Sequence, residues 1–177
     1  MKQVSVVVAA MVALSSAAQA EIQKLSEVAW WAAHGGIRED GAFICAMVTS
    51  TPDGRDGKFV IEYIKGTNVF LLRMLKPTWA IPKMSRKQVA LRFGYGPIWN
   101  IDAVGDGAEL RGALPLRELE RFLSGFQSSG RIDITFIGGT ETPWSLATGG
   151  GGFVETDFLR CLQMTMPTGP ASPPTQP

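Results

Sequence analysis

Gly41-Ala42-Phe43-Ile44-Cys45-Ala46-Met47-Val48-Thr49 is a run of apolar and small residues that carries one of the chain's two cysteines. Its length and its entry through glycine read as a buried strand. The polar turn Arg38-Glu39-Asp40-Gly41 leads into it, and Asp53-Gly54-Arg55-Asp56-Gly57 leads out, with residues that tolerate positive φ. Carboxylates alternating with glycine there share the composition of a calcium loop. The further oxygen ligands and distal glutamate of such a loop are missing, so the stretch reads as a hairpin turn. The second cysteine, Cys161, falls near the end of the part that reads as folded. In an oxidising compartment the expectation is one structural disulfide, Cys45–Cys161, tying the domain's start to its finish. For a loop of that size the chain-entropy account gives about 4–5 kcal/mol.

Working outward, Glu27-Val28-Ala29-Trp30-Trp31-Ala32-Ala33 reads as a first strand stopped by His34-Gly35-Gly36. Lys58–Ile64 and Asn68–Leu75 flank Lys65-Gly66-Thr67, a hairpin signature. In the first of these, Phe59, Ile61 and Tyr63 point one way and Val60, Glu62 and Ile64 the other. Both faces are mostly apolar, which predicts a central strand covered on both sides. Pro77 and Pro82 bracket an extended connection. Lys87–Phe93 alternates with Val89, Leu91 and Phe93 inward, and strands at Ile98–Ala103 and Ala108–Arg111 follow around a turn at Gly105-Asp106-Gly107.

The period changes at Pro115. Leu116, Leu119, Phe122, Leu123 and Phe126 recur at helical spacing, with Arg117, Glu118, Glu120 and Arg121 on the other face. Pro115 suits a first helical turn and Gly130 a stop. Arg131–Ile137 and Pro143–Ala147 then read as neighbouring strands. Gly149-Gly150-Gly151-Gly152 shares only composition with a phosphate-binding loop, since neither the spacing nor the lysine is present. Val154, Phe158, Cys161 and Leu162 share a face of a second helix. The sum is a mainly β fold of α+β type: an antiparallel sandwich or barrel of about 8–10 strands with two packed helices near the C-terminus.

Residues 1–20 read as a secretory signal peptide, with Lys2, an apolar core to Leu14, and Ala18-Gln19-Ala20 before a cleavage after Ala20. The apolar run is shorter than the roughly 18–20 residues that span a bilayer. Residues 21–166 form a single β-rich domain on this reading, and the proline-rich 167–177 a disordered tail. Localisation is periplasmic or secreted, with no membrane insertion after cleavage. The chain has 17 basic and 16 acidic residues, and losing Lys2 with the leader leaves 16 of each. Balanced charge argues against a nucleic-acid partner, whose phosphates need a basic face.

Candidate chemistry is sparse. The chain's single histidine, His34, stands beside a glycine pair, and both cysteines are assigned to the disulfide, so no metal or cofactor is expected. No Gly-x-Ser-x-Gly elbow is present, and no catalytic residue is assigned. Glu62, Asp102, Asp133 and Glu141 are the acids that a carboxylate-based hydrolase would draw on. Trp79, Trp99 and Trp144 are the candidates for a contact surface, because exposed tryptophans mark binding faces.

The order of features resembles the invasion-associated locus B family of proteobacterial periplasmic proteins. A leader precedes Trp30 and Trp31, then the Cys45 strand. Later come the helix Leu116–Phe126, Ser129-Gly130-Arg131-Ile132-Asp133-Ile134-Thr135-Phe136, Trp144-Ser145-Leu146 and Gly152-Phe153-Val154. The resemblance implies a small β-rich fold with non-catalytic, envelope-associated or host-interaction roles. Family members often carry additional cysteines, so no bonding pattern is taken from them, and no catalytic residue comes with the resemblance. The expectation is an exported non-enzymatic accessory protein that binds an envelope or extracellular protein. The alternatives are a periplasmic hydrolase, and a small exported enzyme inhibitor presenting a loop at Gly35–Gly41 or Gly94–Pro97.

Overall fold

A computed structural model describes residues 21–51 and 57–165. Residues 1–20, expected to be a signal peptide, the heart of the expected Asp53–Gly57 turn and residues 167–177, expected to be a tail, lie outside the described residues. Ten strands form one antiparallel sheet. In chain order they are β1 (Glu21–Val28), β2 (Trp31–Ile37), β3 (Phe43–Ser50), β4 (Lys58–Ile64), β5 (Val69–Leu75), β6 (Arg86–Phe93), β7 (Ile98–Asp106), β8 (Glu109–Pro115), β9 (Arg131–Ile137) and β10 (Trp144–Ala147). Helix α1 (Leu119–Ser128) follows a short 3-10 turn at Leu116–Glu118, and α2 (Gly151–Thr165) follows β10. The first five strands meander. The connection from β5 then skips two positions, so the spatial order is β1-β2-β3-β4-β5-β8-β7-β6-β9-β10.

The sheet rolls up. Trp31 of β2 donates its indole N–H to the Ala147 carbonyl of β10 at 2.8 Å, although eight places separate these strands in the sheet order. Among the described residues no ladder joins β1 to β10, so the roll stays open along that seam. One core fills it, drawing on β2 to β10 and both helices. Phe122 of α1 packs on Phe70, Phe93 and Trp99, and Phe126 packs edge-on against Trp31 at 4.8 Å. Of the two architectures expected, sandwich or barrel, the molecule is a single rolled sheet.

Strand β4 is central, as its two apolar faces predict. Phe59, Ile61 and Tyr63 face the core, and on the other face Glu62 is only 2% exposed. A carboxylate there needs partners, since an unpaired buried charge is costly. Arg73 on β5 donates to Glu62 at 2.7 Å and to Glu109 on β8 at 2.7 Å, joining three adjacent strands.

Three local expectations are corrected. The run Glu27–Ala33 is not one strand: the chain reverses at Ala29, whose φ is 53°, so Trp31 enters the core while Trp30 stays 64% exposed. The strand before it, β1, lies at the sheet edge and is exposed over most of its length, and it shows no apolar alternation. Second, Gly35 and Gly36 sit inside β2 instead of ending it. A Cβ on Gly35 would lie 2.8 Å from the Cys161 sulfur, so the glycine makes room for the disulfide. Third, Pro115 ends β8 instead of opening α1, because Leu116 still donates to the Asn68 carbonyl at 2.8 Å.

The Cys45–Cys161 bond is present, with Cα atoms 5.9 Å apart, and both cysteines are buried. It fixes α2 to the inner face of β3. Leu25 sits at a β-bulge in β1, leans over Gly35 and covers this region. Replacing Cys45 by Ser should lower unfolding free energy by about 2–5 kcal/mol in guanidinium titration. A midpoint equal to the parent's would show the bond to be incidental.

Glu155 on α2 is buried, with one carboxylate oxygen accepting from Gln127 of α1 at 2.9 Å and the other lacking a partner among the described residues. Burial raises its pKa above the ordinary value, against a smaller opposing pull from Gln127. A raised folded-state pKa means the stabilising contribution belongs to the protonated form. It is complete below the unfolded-state value and is lost as pH rises through the folded one. Glu155→Gln should therefore raise the melting temperature at neutral pH, and the gain should vanish below about pH 4.

Candidate functional site

Strands β6 and β7 are joined by Gly94-Tyr95-Gly96-Pro97, closed by Gly96 donating to the Phe93 carbonyl at 2.8 Å. A tyrosine between two glycines at a hairpin tip has no strand neighbour to cover it, and Tyr95 is 99% exposed. Helix α1 lies alongside. A Cβ on its Gly125 would come within 2.8 Å of the Phe93 ring, so the absence of a side chain there sets the close approach of helix and hairpin. Between them runs a groove of about 810 Å³, whose lining includes Tyr95, Pro97, Trp99, Arg121, Ser124 and Arg131.

Trp99 is half-buried at the floor, its ring meeting Phe122 at 5.5 Å. The Arg121 guanidinium lies 4.8 Å from the centre of the Trp99 ring. Such stacking holds the cation in place while leaving its N–H fork available. Trp99 was singled out from sequence and the groove contains it. Tyr95 falls within the loop Gly94–Pro97 named for the inhibitor alternative but is not singled out there, and Arg121 reads only as part of the polar face of α1. The signal that could have found Tyr95 is its place between glycines in a turn.

Trp79 and Trp144, the other two candidates, come together elsewhere. Their rings stack at 5.5 Å with 14° between planes, and Phe136 meets both edge-on. Trp144 is 6% exposed. Glu141 accepts from Trp79 Nε1 at 2.9 Å, from Trp144 Nε1 at 3.2 Å and from Lys76 Nζ at 2.7 Å. Burial pushes the Glu141 carboxyl up, and these three donors together outweigh it and hold the pKa below its ordinary value. The cluster closes the end of the roll beneath the β5–β6 connection, where Ile81 bridges to Gly107.

The remaining acids named from sequence are dispersed. Glu62 is tied to Arg73, and Asp133 on β9 accepts from Ser145 at 2.9 Å and from Arg131 at 3.1 Å. Asp102 stands exposed on β7. His34 lies on β2 opposite Ala46, and burial, then the Lys24 cation, lower its pKa against a smaller pull from Glu27. Among the described residues no three His, Cys, Asp or Glu side chains gather as metal ligands, and no helix is long and apolar enough to cross a membrane.

Comparison of the chain with protein-family models, with curated proteins and with solved structures finds no match.

Glu141→Ala would strand two indole N–H groups and an ammonium. The expected loss is about 1–3 kcal/mol of stability, read from the denaturation midpoint with tryptophan emission as probe. An unchanged midpoint would show that water replaces the carboxylate without loss.

Proposed function

We propose that this is an exported, non-catalytic binding or accessory protein of the periplasm or extracellular space, which docks an envelope or extracellular protein against the groove between the β6–β7 hairpin and α1. The observation that carries the reading is the exposure of Tyr95 beside Trp99 and Arg121 around one concave surface. Tyr, Trp and Arg are the residue types that dominate protein interfaces, because each offers a large, partly rigid contact with a polar end. Export is supported by the leader-like residues 1–20 and by the buried disulfide, a bond that persists in oxidising compartments. The pattern resemblance to the invasion-associated locus B family points the same way.

A second reading, an enzyme inhibitor, draws on the same loop. A hairpin tip of Gly94–Pro97 with an uncovered tyrosine suits insertion into an enzyme's cleft. The two readings differ in what the partner is and not in which surface meets it.

A photo-crosslinking residue placed at position 95, and in parallel at Gln88 on the outward face of β6, tests the surface in envelope extract under oxidising conditions. The expected result is one partner captured from position 95 and not from position 88. Equal labelling at both positions overturns the reading. A captured hydrolase whose activity falls on binding selects the inhibitor over the accessory role.

A further inference from the structure

The residues lining the groove bring two guanidiniums and no carboxylate. Arg121 has Glu118 at 3.6 Å and Arg131 has Asp133 at 3.1 Å, and both acids lie outside the lining. Arg121 and Arg131 remain largely exposed, with side-chain exposures of 66% and 52%. The C-terminal end of α1 also faces this groove, and its free carbonyls would ordinarily favour a cation. Of the carbonyls in its last turn, that of Gly125 accepts from Ser128; past the helix, Thr148 donates to the Ser129 carbonyl, and Gly94 and Ser129 both donate to that of Arg131 on β9. The charged side chains that line the groove are thus the two guanidiniums, with aromatic faces beside them.

We infer that the groove recognises a carboxylate-bearing segment of its partner protein, with Arg121, held against Trp99, and Arg131 as the anion-binding groups and Tyr95 as the contact for an adjoining apolar side chain. The inference rests on the proposed docking role of this groove. Guanidinium forks match carboxylates in geometry as well as in charge. The stacking on Trp99 fixes one fork before the partner arrives, which lowers the ordering cost of binding. A protein segment is favoured over an acidic glycan because the Trp99 face is already occupied by Arg121 and is not open as a stacking platform for a sugar ring.

The test titrates isotopically labelled, disulfide-intact full chain with acetyl-Gly-Glu-Glu-Leu-Glu-Glu-Gly-amide and with its glutamine analogue, following the Trp99 indole and Arg121 Nε signals by NMR. The glutamate peptide should shift both signals with affinity that falls as salt rises. The glutamine peptide should bind about tenfold more weakly. Arg121→Gln should bring the glutamate peptide down to the level of its analogue. Arg117→Gln, a change outside the groove, should leave it unaltered, with the sheet amide pattern confirming the fold of each variant.

Equal binding of the two peptides, no shift with the glutamate peptide, or equal losses from Arg121→Gln and Arg117→Gln would each overturn the inference. Tighter binding of an oligogalacturonate than of the glutamate peptide would overturn the choice of a protein segment. If crosslinking from position 95 still captures a partner after Arg121→Gln, the docking role stands and only carboxylate recognition falls. Loss of selective capture in the parent protein removes both.

Discussion

A sheet of ten strands that rolls without closing has an interior to fill; both helices fill it, and α2 is held to β3 through Cys45–Cys161. The helix enters the roll at Gly151, where a side chain would collide with the Phe126 ring, and it buries Val154, Phe158, Cys161 and Leu162 against the strands. With α2 anchored there, β2 and β10 come close enough for the Trp31 indole to bond the Ala147 carbonyl. Exposed edge carbonyls invite pairing with other chains. Here one of them is occupied from within the molecule.

The candidate site follows from the way the ends of the roll are closed. One end is sealed by the stacked indoles of Trp79 and Trp144 around Glu141. Toward the β6–β7 hairpin, α1 supplies Phe122 and Phe126 to the core, and this leaves its next face, with Arg121, turned to the hairpin. The three candidate tryptophans thus divide by environment: two have their N–H groups satisfied by one half-buried carboxylate, and the third supports a guanidinium at the wall of an open groove. Residue type alone did not separate them.

Much of the fold was legible. Alternation in β6, with Val89, Leu91 and Phe93 inward, and the helical spacing of Leu119, Phe122, Leu123 and Phe126 both translate directly into burial. The edge strand β1 was illegible, because a strand wetted on most of its surface has no reason to alternate. His34-Gly35-Gly36 misled for a different reason. Glycine was read there as a local breaker, whereas Gly35 answers to a sulfur that lies far away in sequence. Of the groove, Trp99 and the loop Gly94–Pro97 were visible separately, while Arg121 was an ordinary helix-surface residue until the hairpin and α1 were placed side by side.

By itself the sequence determined what short-range patterning encodes: the mainly β class, the central place of β4 with its two apolar faces, the pairing of the only two cysteines, and the amphipathic helix α1. The physical reason is that side-chain direction repeats every second residue in a strand and nearly every fourth in a helix, so burial is written locally. The tertiary structure alone decided that the sheet is one rolled surface, that the chain reverses at Ala29, and that Arg121 lies over Trp99. Those outcomes depend on contacts between residues distant along the chain, which no local period records.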